Sequence, residues 1–102
     1  DKFDLLVSPT DLSKTKRLKS SDSIINPTDA VERFKNSIGT AMPASLAGTP
    51  AMSVPCGFDS NCMPVGLQIM GRHFEEATIL KAGYSYEETN TWHLQKATSY
   101  KL

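Results

Sequence analysis

Apolar positions along this chain fall into two kinds of pattern. Two short uncharged runs, Ala51 to Cys56 and Val65 to Met70, flank a stretch containing Gly57, Asp59, Ser60, Asn61 and Pro64. That is how two antiparallel strands joined by a long turn read in sequence. A third run, with Phe3, Leu5, Leu6 and Val7, stops at Ser8-Pro9, where proline cannot donate to a ladder; it reads as an inner strand. Elsewhere the spacing changes to three and four. Ala30, Val31, Phe34 and Ile38 predict an amphipathic helix that Thr28 or Asp29 would cap and Gly39 would end. Ile79, Leu80, Gly83, Tyr84 and Tyr86 predict the apolar face of another, opened by Glu75 and Glu76 and stopped near Asn90. Lys81, Glu87 and Glu88 form its wet side. Trp92-His93 is expected to pin the tail, beyond which residues 95–102 fray.

Neither central run carries a charge, so both strands are expected to be buried on both faces. In the second, Val65, Leu67 and Ile69 point one way and Gly66, Gln68 and Met70 the other. Gln68 stands out, because a buried amide must find partners or cost about 1 to 3 kcal/mol. The residues alone leave a structural hydrogen bond and a pocket role both open.

The 102 residues suit one small domain, with a core possible but not large. Residues 1–10 read as the strand, 11–27 as an exposed polar loop rich in lysine and serine, and 28–102 as a helix, the two-strand core and a terminal helix. Strands interleaved with helices make the class α/β. Eleven basic and eleven acidic residues cancel, so the chain has no electrostatic footprint for nucleic acid or an anionic membrane. No apolar run approaches the ~18 to 20 residues that span a bilayer.

Cys56 and Cys62 are six positions apart, which is not a C-x-x-C redox spacing, and both are expected to remain free thiols. Cys56, ending an apolar run, reads as a small buried hydrophobe. A zinc set drawn from Cys56, Cys62, His73 and His93, or a nucleophile pair of Cys62 and His73, would match no known ligand or dyad spacing. No metal and no cofactor are therefore expected.

Beyond these patterns, LAGTPAMSVPCGFDSNCMPVGLQIMGRHFEEATIL, from Leu46 to Leu80, resembles the C-terminal end of the amidase signature family. It is most like the A subunits of the glutamyl-tRNA(Gln)/aspartyl-tRNA(Asn) amidotransferases. FDLLVSPT, from Phe3 to Thr10, is similar to the family's late strand ending in Pro-Thr, and AGYSYEETNTWH, from Ala82 to His93, to its terminal helix and Trp-His tail. The resemblance implies a fragment of the layered α/β/α amidase fold with a mixed sheet, the last part of a longer protein. It also implies a second short helix or turn at the SLAG segment.

The family cleaves amides with a serine nucleophile, a second serine in a cis peptide, and a lysine, and sets its serines in a glycine-rich segment far upstream of the matched region. Lys19, Ser20 and Ser21 supply the residue types, but no glycine precedes Gly39. They read as a solvated basic loop, and no catalytic residue is assigned to this chain. In the A subunits the approach to SLAG carries an aspartate that holds the amino-acid part of the donor glutamine. Counting back without gaps puts Ile38 at that position, and Ser45 stands where asparagine is usual. Ile38, Ser45 and Gln68, which matches the family's Gly-Leu-Gln, are the pocket candidates. No substrate ligand is carried over.

By the same resemblance the parent would release ammonia from glutamine to form Gln-tRNA(Gln) or Asn-tRNA(Asn). Its partners would be B and C subunits, with tRNA met indirectly, inside the cell, in the cytoplasm or an organelle. A fragment of a general amidase acting on small or lipid amides and a non-catalytic interaction module are the alternatives. An isolated fragment is expected to self-associate through unpaired strand edges.

Overall fold

Asp59 closes the central hairpin. Its carboxylate accepts the backbone N–H groups of Asn61 at 2.8 Å and Met63 at 2.9 Å, while its own N–H donates to Met63 O at 2.8 Å. An aspartate bonding its own backbone two and four residues on makes a turn without glycine; here Cys62 takes the positive φ of 58° that the turn requires. In the computed structural model, which describes residues 2–12 and 27–96, this turn joins β2 (Ala51–Phe58) to β3 (Pro64–Met70). The other elements are β1 (Leu6–Pro9), α1 (Pro27–Thr40), α2 (Met42–Ala47), α3 (Glu76–Glu88) and a 3-10 turn at Trp92–Leu94. The sheet order is β1-β3-β2. The architecture is therefore α/β, as expected. Both pairings are antiparallel, so these three strands do not themselves form the parallel part of a mixed sheet.

The register decides which side chains share a face. Met52 opposes Ile69 and Val54 opposes Leu67, and this side carries the core: Val54, Ile69 and Ile79 are buried, with Leu5, Met52, Leu67, Ala82 and Tyr86 packed around them. Each fully buried aliphatic side chain contributes roughly 1.5 to 3 kcal/mol, so three of them make a small core. Gly83 lets α3 sit close. A Cβ there would come within 2.7 Å of Met52 Cε and 2.9 Å of Met52 Sδ.

The face of α3 that meets the sheet is Ile79, Ala82, Gly83 and Tyr86, a stripe at spacings of three and four. Leu80 and Tyr84, expected in it, lie one step around the helix and are exposed. Burial of both central strands on both faces is also corrected: Ala51, Ser53 and Pro55 are exposed, because α3 covers only the opposite side. On α1, Val31 and Phe34 are likewise exposed and Ile38 is half-buried.

Segment boundaries follow the chemistry of caps. Proline stands first in α1, where its missing N–H is no loss. Gly48, at φ 66°, ends α2 in the left-handed conformation, with the N–H groups of Gly48 and Thr49 both reaching Ala44 O. The exposed loop read over residues 11–27 lies mostly outside the described residues; Asp11 and Leu12 are exposed and Pro27 already belongs to α1. At the far end Trp92 packs edge-on against Phe58, ring centroids 6.3 Å apart, and its backbone N–H donates to Asn90 Oδ1. Trp92 thus pins the tail, whereas His93 is exposed. Among the described residues no helix is long and apolar enough to cross a membrane.

The sheet edges are set by hydrogen-bond alternation. Thr10 N donates to Gly66 O and Gly71 N to Pro50 O, both at 3.0 Å. Along β3, therefore, Gly66, Gln68 and Met70 turn their backbone groups to β1, and Leu67, Ile69 and Gly71 turn theirs to β2. Val7 and Pro9 on β1, and Ala51, Ser53 and Pro55 on β2, are left facing outward. Pro9 and Pro55 oppose the adjacent residues Leu67 and Gly66.

Candidate functional site

The second face of the sheet carries a polar network that the first lacks. Gln68, 6% exposed, donates from Nε2 to Thr40 O at 2.8 Å. Thr40, itself buried, donates from Oγ1 to Thr10 O at 3.0 Å. Thr10 Oγ1 and Ser53 Oγ lie 2.6 Å apart. These contacts link the last residue of α1 to β3, to the end of β1 and, through Thr10, to β2. Each bond is worth about 0.5 to 1.5 kcal/mol net, and opening the buried Gln68–Thr40 bond would strand a polar group away from water at greater cost, whereas the Thr10–Ser53 contact is exposed.

The joint between α1 and α2 is what this network holds. Ile38 is half-buried two residues before Thr40, and Ser45 is exposed five residues after it on α2. Gln68 is tied to the joint directly. The structure thus collects the three candidates on or against one short segment, although Ile38 and Ser45 make no hydrogen bond to Gln68. Thr10, Thr40 and Ser53 are not singled out by the sequence pattern. Their signal there is slight: a small hydroxyl residue just past a strand, another at a helix end, and one inside an otherwise apolar run.

Gly66 explains how two strands that do not pair can touch. A Cβ on Gly66 would lie 2.7 Å from both Ser53 Oγ and Thr10 Oγ1. Only an absent side chain on β3 leaves room for those two hydroxyls to meet above it.

At the other end of the sheet, an open cleft of about 350 Å³ is lined by Phe3, Leu5, Met70 and Arg72 among others. Of its two cations, Lys2 and Arg72, the arginine is already engaged: Arg72 donates to Asp4 Oδ1 at 2.9 Å and to Phe3 O at 2.8 Å, with Glu75 Oε2 at 3.9 Å. The cleft is a fastening for the start of β1.

The groups that could break bonds are scattered. Cys56 donates from Sγ to Val65 O at 3.5 Å, Cys62 is exposed, and neither is in a disulfide. Among the described residues no three His, Cys, Asp or Glu side chains gather as a metal site would require. Ser53 is hydrogen bonded to a threonine. Lys19, Ser20 and Ser21 lie outside the described residues. Among the described residues, the chemistry available on the second face is hydrogen bonding and placement, with no activated nucleophile.

Against this geometry stand the relatives. A family model described as Amidase matches residues 1–80. The A subunit of the glutamyl-tRNA(Gln) amidotransferase of Bacillus cytotoxicus is 42% identical over 96 residues, which is 94% of this chain and 19% of that protein. The protein of the same name from Bacillus thuringiensis (strain Al Hakam) is 41% identical over the same share. The chain spans about a fifth of the length of these curated relatives.

Proposed function

This chain belongs to the amidase family, and from that premise we propose that it serves as the donor-side wall of a longer amide-hydrolysing enzyme, most like the A subunit of a tRNA-dependent amidotransferase. The observation that supports this reading is the α1–α2 joint, clamped onto the sheet through Gln68 and Thr40, with Ile38 and Ser45 to either side. A joint fixed in this way gives a pocket a firm wall against which a donor can be held.

Bond breaking belongs to residues outside this chain. A serine hydroxyl adds to the amide carbon, the C–N bond breaks, and nitrogen leaves as ammonia with a proton. Water then cleaves the ester, returning the serine and leaving a carboxylate. With glutamine as donor, ammonia would pass to a B subunit that activates mischarged tRNA with ATP, in an assembly with a C subunit, forming Gln-tRNA(Gln) or Asn-tRNA(Asn). This chain has no net charge, so it adds little to any tRNA surface.

Ile38 favours a second reading. An apolar, half-buried side chain cannot neutralise the ammonium of an amino-acid donor, so a donor without that charge, as in a general amidase, fits this position better. The test is ammonia release by the full-length enzyme from glutamine and from simple aliphatic amides. Turnover of glutamine, strengthened by Ile38→Asp, supports the amidotransferase. Preference for aliphatic amides, lost in Ile38→Asp, supports the general amidase. Release from neither overturns both.

A further inference from the structure

We infer that Gln68 is a positioning residue for the amide donor, acting through the α1–α2 joint without touching the donor itself; this rests on the reading of that joint as the pocket wall. Apolar burial on the two helices is sparse among the described residues. Among the described residues of α1 and α2 only Thr40 and Ala44 are buried, and Val31, Phe34 and Leu46 are more than half exposed. What ties the joint down is polar and converges on one residue: Thr40 O accepts from Gln68 on β3, and Thr40 Oγ1 donates to the carbonyl of Thr10.

Two anchors on different strands fix both the height and the rotation of a segment, which one anchor cannot do. The Thr10 anchor is itself braced, by its N–H on Gly66 O and its hydroxyl on Ser53. Removing the Gln68 amide leaves Thr40 held only from the end of β1. The joint can then pivot, carrying Ile38 and Ser45 with it, while the apolar core on the opposite face of the sheet stays packed. The consequence falls on how the donor is held rather than on the bond-breaking groups, so KM should change and kcat should not.

The full-length enzyme carrying Gln68→Met keeps the volume of the side chain and loses the donor. Its KM for the amide donor should rise about tenfold with kcat within about twofold, the pattern of an interaction that holds ground state and transition state alike. Thr40→Val removes the second anchor and should raise KM in the same way, the two effects combining non-additively because both act through one joint. A loss confined to thermal stability, with KM unchanged in the variants, overturns the inference. Should Gln68→Met not fold, Thr40→Val decides alone by the same criterion. Ile38→Trp separates the two levels of argument. A KM change at Ile38 without one at Gln68 or Thr40 overturns positioning and leaves the wall reading standing; no change at any of the three overturns the wall as well.

Discussion

Thr10 and Ser53 touch, Oγ1 to Oγ at 2.6 Å, although their strands lie on opposite sides of β3 and share no ladder. The contact spans the sheet only because Gly66 lies between them. Gly66→Ala should therefore be felt out of proportion to one methyl. The new Cβ would have to push both hydroxyls apart, and overpacking of this kind costs about 1 to 3 kcal/mol. Urea unfolding at fixed protein concentration measures it; a midpoint unchanged from the unsubstituted chain would mean that the two hydroxyls move aside freely.

Arg72 holds the opening of β1 through Asp4 Oδ1 and Phe3 O, and both the arginine and Asp4 are open to solvent. Arg72→Ala should accordingly cost under about 1 kcal/mol of global stability. Its effect should be local. Amide exchange should quicken over residues 5–7 and stay as it was in the β2–β3 hairpin; uniform acceleration would show that Arg72 supports the whole sheet.

The two thiols differ in access, Cys56 half-buried against Val65 O and Cys62 exposed in the turn. A thiol reagent should find two reactive groups in the unfolded chain. In the folded chain Cys62 should react first. Equal rates, or fewer than two thiols, would show that the turn is arranged differently.

Alone, the 102-residue chain should self-associate. Phe3, Leu6, Val7, Phe74 and Leu94 are exposed, most of them heavily, and equal numbers of acidic and basic residues provide little repulsion between copies. Sedimentation over a range of concentrations should show dimers or larger species. Val7→Lys, which sets a charge on the outer edge of β1, should shift the population toward monomer. A monodisperse unsubstituted chain with a sharp thermal transition would contradict this.

The same isolated chain should release no ammonia from glutamine and not cleave a chromogenic amide, because no residue in it is assigned as nucleophile or base. Turnover that disappears in Ser20→Ala or Ser21→Ala would restore those serines to consideration.

The hairpin was legible because its evidence is local. Two uncharged runs and an Asp-Ser-Asn turn specify strands and loop within a few residues of themselves. Gln68 was legible as a buried amide needing a partner, but the partner was not, since Thr40 is 28 residues away and its carbonyl carries no sequence signature. Helix faces were half legible. Leu80 and Tyr84 have the right chemistry for a core but the wrong angle, and only the position of Met52 beneath Gly83 decides which stripe of α3 turns inward. The apolar run on α1 misled in the opposite sense: Val31 and Phe34 have helical spacing, and among the described residues nothing buries them.

Pro9 and Pro55 stand at neighbouring positions on the two outer edges, each removing a donor where the next rung of a growing sheet would form. What remains on each side is a short docking key toward the end marked by Met70: the outward amides of Val7 on one edge, Ala51 and Ser53 on the other. A strand sliding along either edge meets a position that cannot return a hydrogen bond and must stop. Whichever polypeptide extends this sheet is therefore admitted in few registers, and the open-ended lateral stacking that leads to fibres is interrupted on both flanks by a single atom's worth of chemistry, the absent hydrogen on an imino nitrogen.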